Sequence, residues 1–144
     1  MTNIAEHKSK EANELTNDLS NGMSNKNNDW LTICNIADIA KNTGVCADFN
    51  GKQVAIFHIQ TTGDDDTIRG VSAVKAVCNR DPFSQANVLS RGLITEKERQ
   101  YYVASPLLKQ EFCLDTGQCQ QDNSIVITTY KSRIDGDLVQ LMEA

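Results

Sequence analysis

Val71-Ser72-Ala73-Val74-Lys75-Ala76-Val77 runs into Cys78-Asn79-Arg80-Asp81-Pro82-Phe83, and Tyr101-Tyr102-Val103-Ala104 runs into Ser105-Pro106-Leu107-Leu108-Lys109. Each is a β-rich run that ends in a proline-bearing loop, because proline has no N–H to give to a sheet and stops the strand that precedes it. The second loop leaves through Gln110 to Leu114 into an Asp115-Thr116-Gly117 turn. Outward from these two units the grammar is the same. Trp30 to Cys34 reads as a first strand, and Ile36 to Ile39 as a short helical or turn connection. Val45 to Phe49 and Lys52 to His58 flank Asn50-Gly51, a strong hairpin signal because both turn positions tolerate positive φ. Ile125 to Ile134, an Asp135-Gly136 turn and Asp137 to Met142 repeat that pattern. Many short strands with little helical periodicity predict an all-β sandwich or barrel of short antiparallel strands, with a smaller loop-rich subdomain.

Residues 1–28 are rich in Asn, Ser, Glu and Lys and poor in large apolar side chains, so a disordered polar leader is expected before a single domain over 29–144. Thr61 to Gly70, with Asp64-Asp65-Asp66, reads as a solvated loop. The triplet lacks the alternating spacing and glycine of a calcium loop.

The paired loops resemble the frame of a Rieske iron–sulfur domain. There, a C-x-H motif and a C-P-x-H-G motif supply two thiolates to one iron and two imidazoles to the other. Cys78 keeps the first thiolate, but Arg80 and Leu108 stand at the histidine positions and Ser105 at the second cysteine. The chain has only two histidines, His7 and His58, and neither lies in a loop. With both histidines outside the loops, the two loops cannot supply the pair of imidazoles, so no cluster and no cofactor are expected in this chain.

The formal charge of −5 argues against nucleic-acid or anionic-membrane partners, which need a basic face. No apolar run has bilayer length, and Met1 to Lys8 lacks the hydrophobic segment of a secretory signal, so a soluble cytoplasmic protein is expected. Five cysteines, without a C-x-x-C pair, favour free thiols. A metal site from Cys78, Cys113 and Cys119 is the weaker alternative, since Cys113 and Cys119 flank the Asp115-Thr116-Gly117 turn at a spacing unlike a zinc knuckle. There is no G-x-G-x-x-G loop for a nucleotide, and His58 reads as an ordinary strand residue without a nucleophile to serve.

What remains is the loop tip, which in a Rieske domain is the part that meets redox partners. Here it carries Asn79, Arg80, Asp81, Phe83, Ser84, Arg91 and Lys109. Three cations and an aromatic on an acidic protein make a directional docking patch. The plainer alternative pairs Arg80 with Asp81 to brace a loop without a metal staple. Both readings are compatible.

The stretch Asn79-Arg80-Asp81-Pro82-Phe83-Ser84-Gln85-Ala86-Asn87-Val88-Leu89-Ser90-Arg91-Gly92, followed by Ser105-Pro106-Leu107 and Phe112 to Gly117, is similar to the small subunits of cytoplasmic assimilatory NAD(P)H-dependent nitrite reductases. The resemblance spans Asp29 to Leu141. It implies a non-catalytic chain that binds and supports a large subunit carrying FAD, a [4Fe-4S] cluster and sirohaem, which reduces nitrite to ammonium in nitrate assimilation. Two other functions stay open on the residues alone. One is a metal-free Rieske-like interaction or regulatory module unrelated to nitrite; the other is a true [2Fe-2S] carrier, which the missing ligands disfavour.

Overall fold

The computed structural model describes residues 29–61 and 71–143. The expected polar leader and the Asp64-Asp65-Asp66 loop lie outside the described residues. Among the described residues, nine strands follow one another: β1 (Leu31–Asn35), β2 (Thr43–Phe49), β3 (Lys52–Thr61), β4 (Val71–Cys78), β5 (Leu93–Lys97), β6 (Gln100–Ala104), β7 (Glu111–Cys113), β8 (Thr129–Asp135) and β9 (Leu138–Met142). They form a six-stranded sheet in the order β1-β9-β8-β4-β3-β2 and a three-stranded sheet β5-β6-β7, with every pairing antiparallel. The all-β class is therefore as expected, and the small sheet carries the second loop between β6 and β7.

The Asn50-Gly51 hairpin joins β2 and β3 in the register set by its turn, with Phe49 opposite Lys52. Both turn residues take positive φ, 53° and 84°. The 3-10 turn Ile36–Asp38 falls where a short helical connection was expected. Asn35 caps it through its side chain, and Asp38 returns a bond from the Asn35 N–H.

β3 is buried on both faces, which explains its continuous apolar run Val54 to Ile59, interrupted only by His58. Val54 and Ile56 enter one core cluster with Ile33, Phe49, Val139 and Leu141. Ala55, Phe57 and Ile59 face a second cluster with Val77, Leu89, Val103 and Phe112, which glues the small sheet onto the large one. Each such fully buried large side chain contributes roughly 1.5–3 kcal/mol relative to exposure. His58 is a satisfied interior residue: its Nδ1 donates to Ile39 O at 2.7 Å and its Nε2 meets the Ser72 hydroxyl at 3.0 Å.

Two local expectations need correction. The strand expected over Ile125 to Ile134 begins only at Thr129. Before it, Ile127 N donates to Gly117 O and Cys119 N to Ile125 O, so these residues fold back on the Asp115-Thr116-Gly117 turn. Ladder partners, invisible locally, decided this. Conversely, β5 over Leu93 to Lys97 forms where no strand was expected, because Ile94 can insert opposite Val103 into the second cluster.

Candidate functional site

The first loop is built outward from Asn79, which follows β4 and is fully buried. Its amide Nδ2 donates to Gln53 Oε1 at 3.2 Å and reaches Cys46 Sγ at 3.5 Å. Its Oδ1 accepts from Ser90 N at 2.7 Å, its backbone N–H donates to Gln53 O, and its carbonyl accepts from Leu89 N. One asparagine thus ties β3 to the 3-10 turn Leu89–Arg91 at the far end of the loop. Leu89 pins that turn into the second cluster. Gly44 on β2 lets the turn lie close, since a Cβ there would stand 2.6 Å from the Phe57 ring and 2.8 Å from Ser90 O.

Asp81 is the second hub, and it is fully buried with no cation needed to hold it. Its Oδ1 accepts from Phe83 N at 2.9 Å and its Oδ2 from the Ser105 hydroxyl at 2.6 Å. Burial alone would raise the Asp81 carboxyl. The hydrogen bonds from Ser105, from Phe83 N and from the Ser84 side chain and backbone outweigh it, holding the group below the ordinary carboxylate value. The expected local brace between Arg80 and Asp81 is replaced by this arrangement, because the donors that reach Asp81 come from its own turn and from the second loop, while Arg80 is exposed. Ser105, also fully buried, anchors the second loop in turn: its N–H donates to Gln110 O, and its carbonyl accepts from Lys109 N.

The Asp81–Ser105 bond therefore joins the two loops, and Ser105 stands where the Rieske pattern places a thiolate. The donor set does not fit a [2Fe-2S] centre. Arg80 is a permanent cation, Leu108 has no lone pair, and the Ser105 hydroxyl is already committed to Asp81. Among the described residues, no group of three or more His, Cys, Asp or Glu side chains comes together as a metal site. Cys113 and Cys119 are buried and Cys78 half-buried, and no cysteine is in a disulfide. The backbone frame is nevertheless kept. Lys109 occupies the glycine position of the second motif and adopts φ 73°, a left-handed conformation that glycine takes without cost.

The seven tip residues named from sequence divide by burial. Asn79 and Asp81 are internal hubs. Phe83 is half-buried, its ring centroid 6.2 Å from that of Phe112 at the edge of the second cluster, and the Ser84 hydroxyl accepts from Ala86 N. Arg80, Arg91 and Lys109 are exposed. Sequence reasoning missed Leu107 and Leu108, two adjacent leucines in the second loop that are both exposed. The signal was available: a leucine at a ligand position has no metal to face and no strand to bury it.

The Rieske-like [2Fe-2S] domain family matches residues 29–142. The small subunit of nitrite reductase (NADH) from Salmonella typhimurium is 44% identical over 112 residues, covering 78% of this chain and 95% of that protein. The solution structure of the Escherichia coli protein NirD superposes with a TM-score of 0.65 at 42% identity, over 78% of this chain and 94% of that one. A stretch of the nitrite reductase [NAD(P)H] large subunit of Klebsiella oxytoca is also 37% identical over 91 residues, 62% of this chain but 8% of that protein. A Rieske frame locked by a buried Asp81–Ser105 bond, on a chain matched by the family over residues 29–142 and 44% identical to a small subunit over 112 residues, belongs to the Rieske-like domain family and, within it, to the nitrite reductase small subunits.

Proposed function

We propose that this chain is a non-catalytic, cofactor-free subunit of a cytoplasmic NAD(P)H nitrite reductase, acting in nitrate assimilation by binding and supporting the cofactor-bearing large subunit through its two loops. The observation that carries the reading is the hydroxyl of Ser105 held 2.6 Å from Asp81 at the joint of the loops. A frame whose ligand place is spent on an internal hydrogen bond offers shape and charge to a partner, not an electron carrier. The large subunit as partner is supported by the Klebsiella oxytoca protein, in which a stretch like this domain sits within the large subunit itself. There the domain is tethered; here it would reach its place by docking.

The test is co-expression with the candidate large subunit, followed by metal analysis of the separated chains and by assay of nitrite-dependent NAD(P)H oxidation. The expected result is a co-purifying complex, iron confined to the large subunit and lower or less durable activity when this chain is omitted. A stoichiometric two-iron centre on this chain would overturn the cofactor-free role. Absence of both association and effect on activity would overturn the partnership.

A further inference from the structure

Among the described residues, five large hydrophobic side chains are exposed: Leu93 at 71%, Val126 at 60%, Leu107 at 53%, Leu108 at 49% and Leu138 at 37%. Scattered singly, such residues need no explanation. Three of them gather. Leu107 and Leu108 are consecutive, and Leu93 is the ladder partner of Ala104, the residue directly before Ser105. The register thus brings Leu93 to the root of the loop that displays the other two. Val126 and Leu138 lie elsewhere, bridging Gln118 and pairing with Asn35 respectively.

The exposed cations attach to the same junctions. Arg80 lies between the hubs Asn79 and Asp81, Lys109 is bonded through its N–H to Ser105 O, and Arg91 ends the turn that hangs from Asn79. On a chain of net charge −5, the two loops together carry three exposed cations and a single carboxylate, the buried Asp81, so their charge is opposite in sign to that of the whole chain. The loop is also preorganised: the Ser105 hydroxyl, besides binding Asp81, accepts from Leu107 N at 3.3 Å. Little ordering entropy remains to be lost when it docks.

We propose that Leu107 and Leu108 are the anchors of the interface, with Leu93 beside them and Arg80, Arg91 and Lys109 as its rim, and that they fit an apolar recess edged by aspartate or glutamate on the large subunit. This deepens the docking role above and rests on it. Two places that in the Rieske pattern belong to histidines have turned outward, one as an apolar anchor at Leu108 and one as a rim cation at Arg80. Desolvated anchors govern how slowly a complex falls apart, while rim charges govern how fast it forms and how strongly salt weakens it.

The test measures binding of the full chain to the purified holo large subunit at low and high salt, with near-ultraviolet circular dichroism as a check on folding. Leu107→Asp with Leu108→Asp should weaken binding about 100-fold at both salt concentrations. Arg80→Glu with Lys109→Glu should cost about 10-fold at low salt and flatten the salt dependence. Val126→Asp should leave affinity unchanged. Should the aspartates disturb the fold, Leu107→Ser with Leu108→Ser gives the same reading without added charge. Wild-type binding together with a double-leucine variant that binds equally well overturns the anchor proposal alone. Failure of the wild-type chain to bind overturns the partnership as well.

Discussion

The two loops invert each other. The first, from Asn79 to Gly92, buries two polar hubs: Asn79 and Asp81 are fully buried and spend their hydrogen bonds inside the protein. The second, from Ser105 to Gln110, hides only its serine and presents Leu107 and Leu108 to solvent. Buried Asn79, Asp81 and Ser105 beside exposed Leu107 and Leu108 reverse the usual surface rule at these positions. The contrast shows a division of labour, in which the first loop supplies the buried scaffold and two rim cations, Arg80 and Arg91, and the second holds out the apolar anchors. In an iron-bearing frame both loops would do both jobs, because a cluster is at once staple and functional group.

Removing the staple between the loops has the largest expected effect. Asp81→Ala leaves the buried Ser105 hydroxyl and Phe83 N–H without their acceptor, and hydrogen bonds to a charged group are the costly ones to lose. The expected destabilisation is about 3 kcal/mol, read as a lower urea midpoint with unchanged m-value. A variant as stable as the wild type would show that the loops are held by packing alone.

Asn79→Ala tests the scaffold at its other hub. It strands the Ser90 N–H but leaves the backbone bonds to Gln53 and Leu89 intact, and exposed Gln53 Oε1 keeps its contact from Cys46 Sγ, so about 2 kcal/mol is expected. Amide exchange should rise first in the 3-10 turn Leu89–Arg91, since that turn depends on Asn79 while the second loop does not.

Acid provides a milder probe of the same staple. The folded carboxyl of Asp81 titrates below its unfolded value, so the unfolded chain binds the proton more readily between the two. Its stabilisation is complete above the ordinary aspartate value of about 3.9 and is lost as pH falls from there through the lower folded value. Asp81→Asn, which keeps the shape but cannot titrate, should therefore lose less stability than the wild type between pH 6 and pH 3. Glu111, held low chiefly by its bond from Lys97, titrates in both proteins and cancels in the comparison.

Legibility in the sequence follows the same division. The strands that carry the first loop were plain, because Val71 to Val77 and the Asn50-Gly51 hairpin state their conformation locally. The lost ligands were also plain, because ligand chemistry is a matter of residue type. The partner of Asp81 was not. Arg80 is its neighbour in sequence, whereas Ser105 becomes its neighbour only after β6 pairs with β5 and β7, and no local pattern encodes that closure. Leu107 and Leu108 were missed for the converse reason: leucine is read as core by default, whereas both are exposed here. β5 was missed because its Thr95, Glu96 and Lys97 mask the one inward residue, Ile94, that matters.

The smallest expected effect comes from a substitution in the second loop that separates display from support. Lys109 holds φ 73° at a place where the motif it resembles has glycine. A side chain in that conformation costs roughly 1–2 kcal/mol, and glycine would relieve it while giving back about 0.5–1 kcal/mol of chain entropy. Lys109→Gly should therefore stabilise the monomer by about 0.5 kcal/mol, visible as a small upward shift in the urea midpoint. The same change removes one rim cation, so affinity for an acidic partner should fall at low salt even as the fold strengthens. A gain in stability with a loss in binding means the strain is kept for the charge it displays. A gain in both would mean that Lys109 faces nothing, and that the second loop is scaffold like the first.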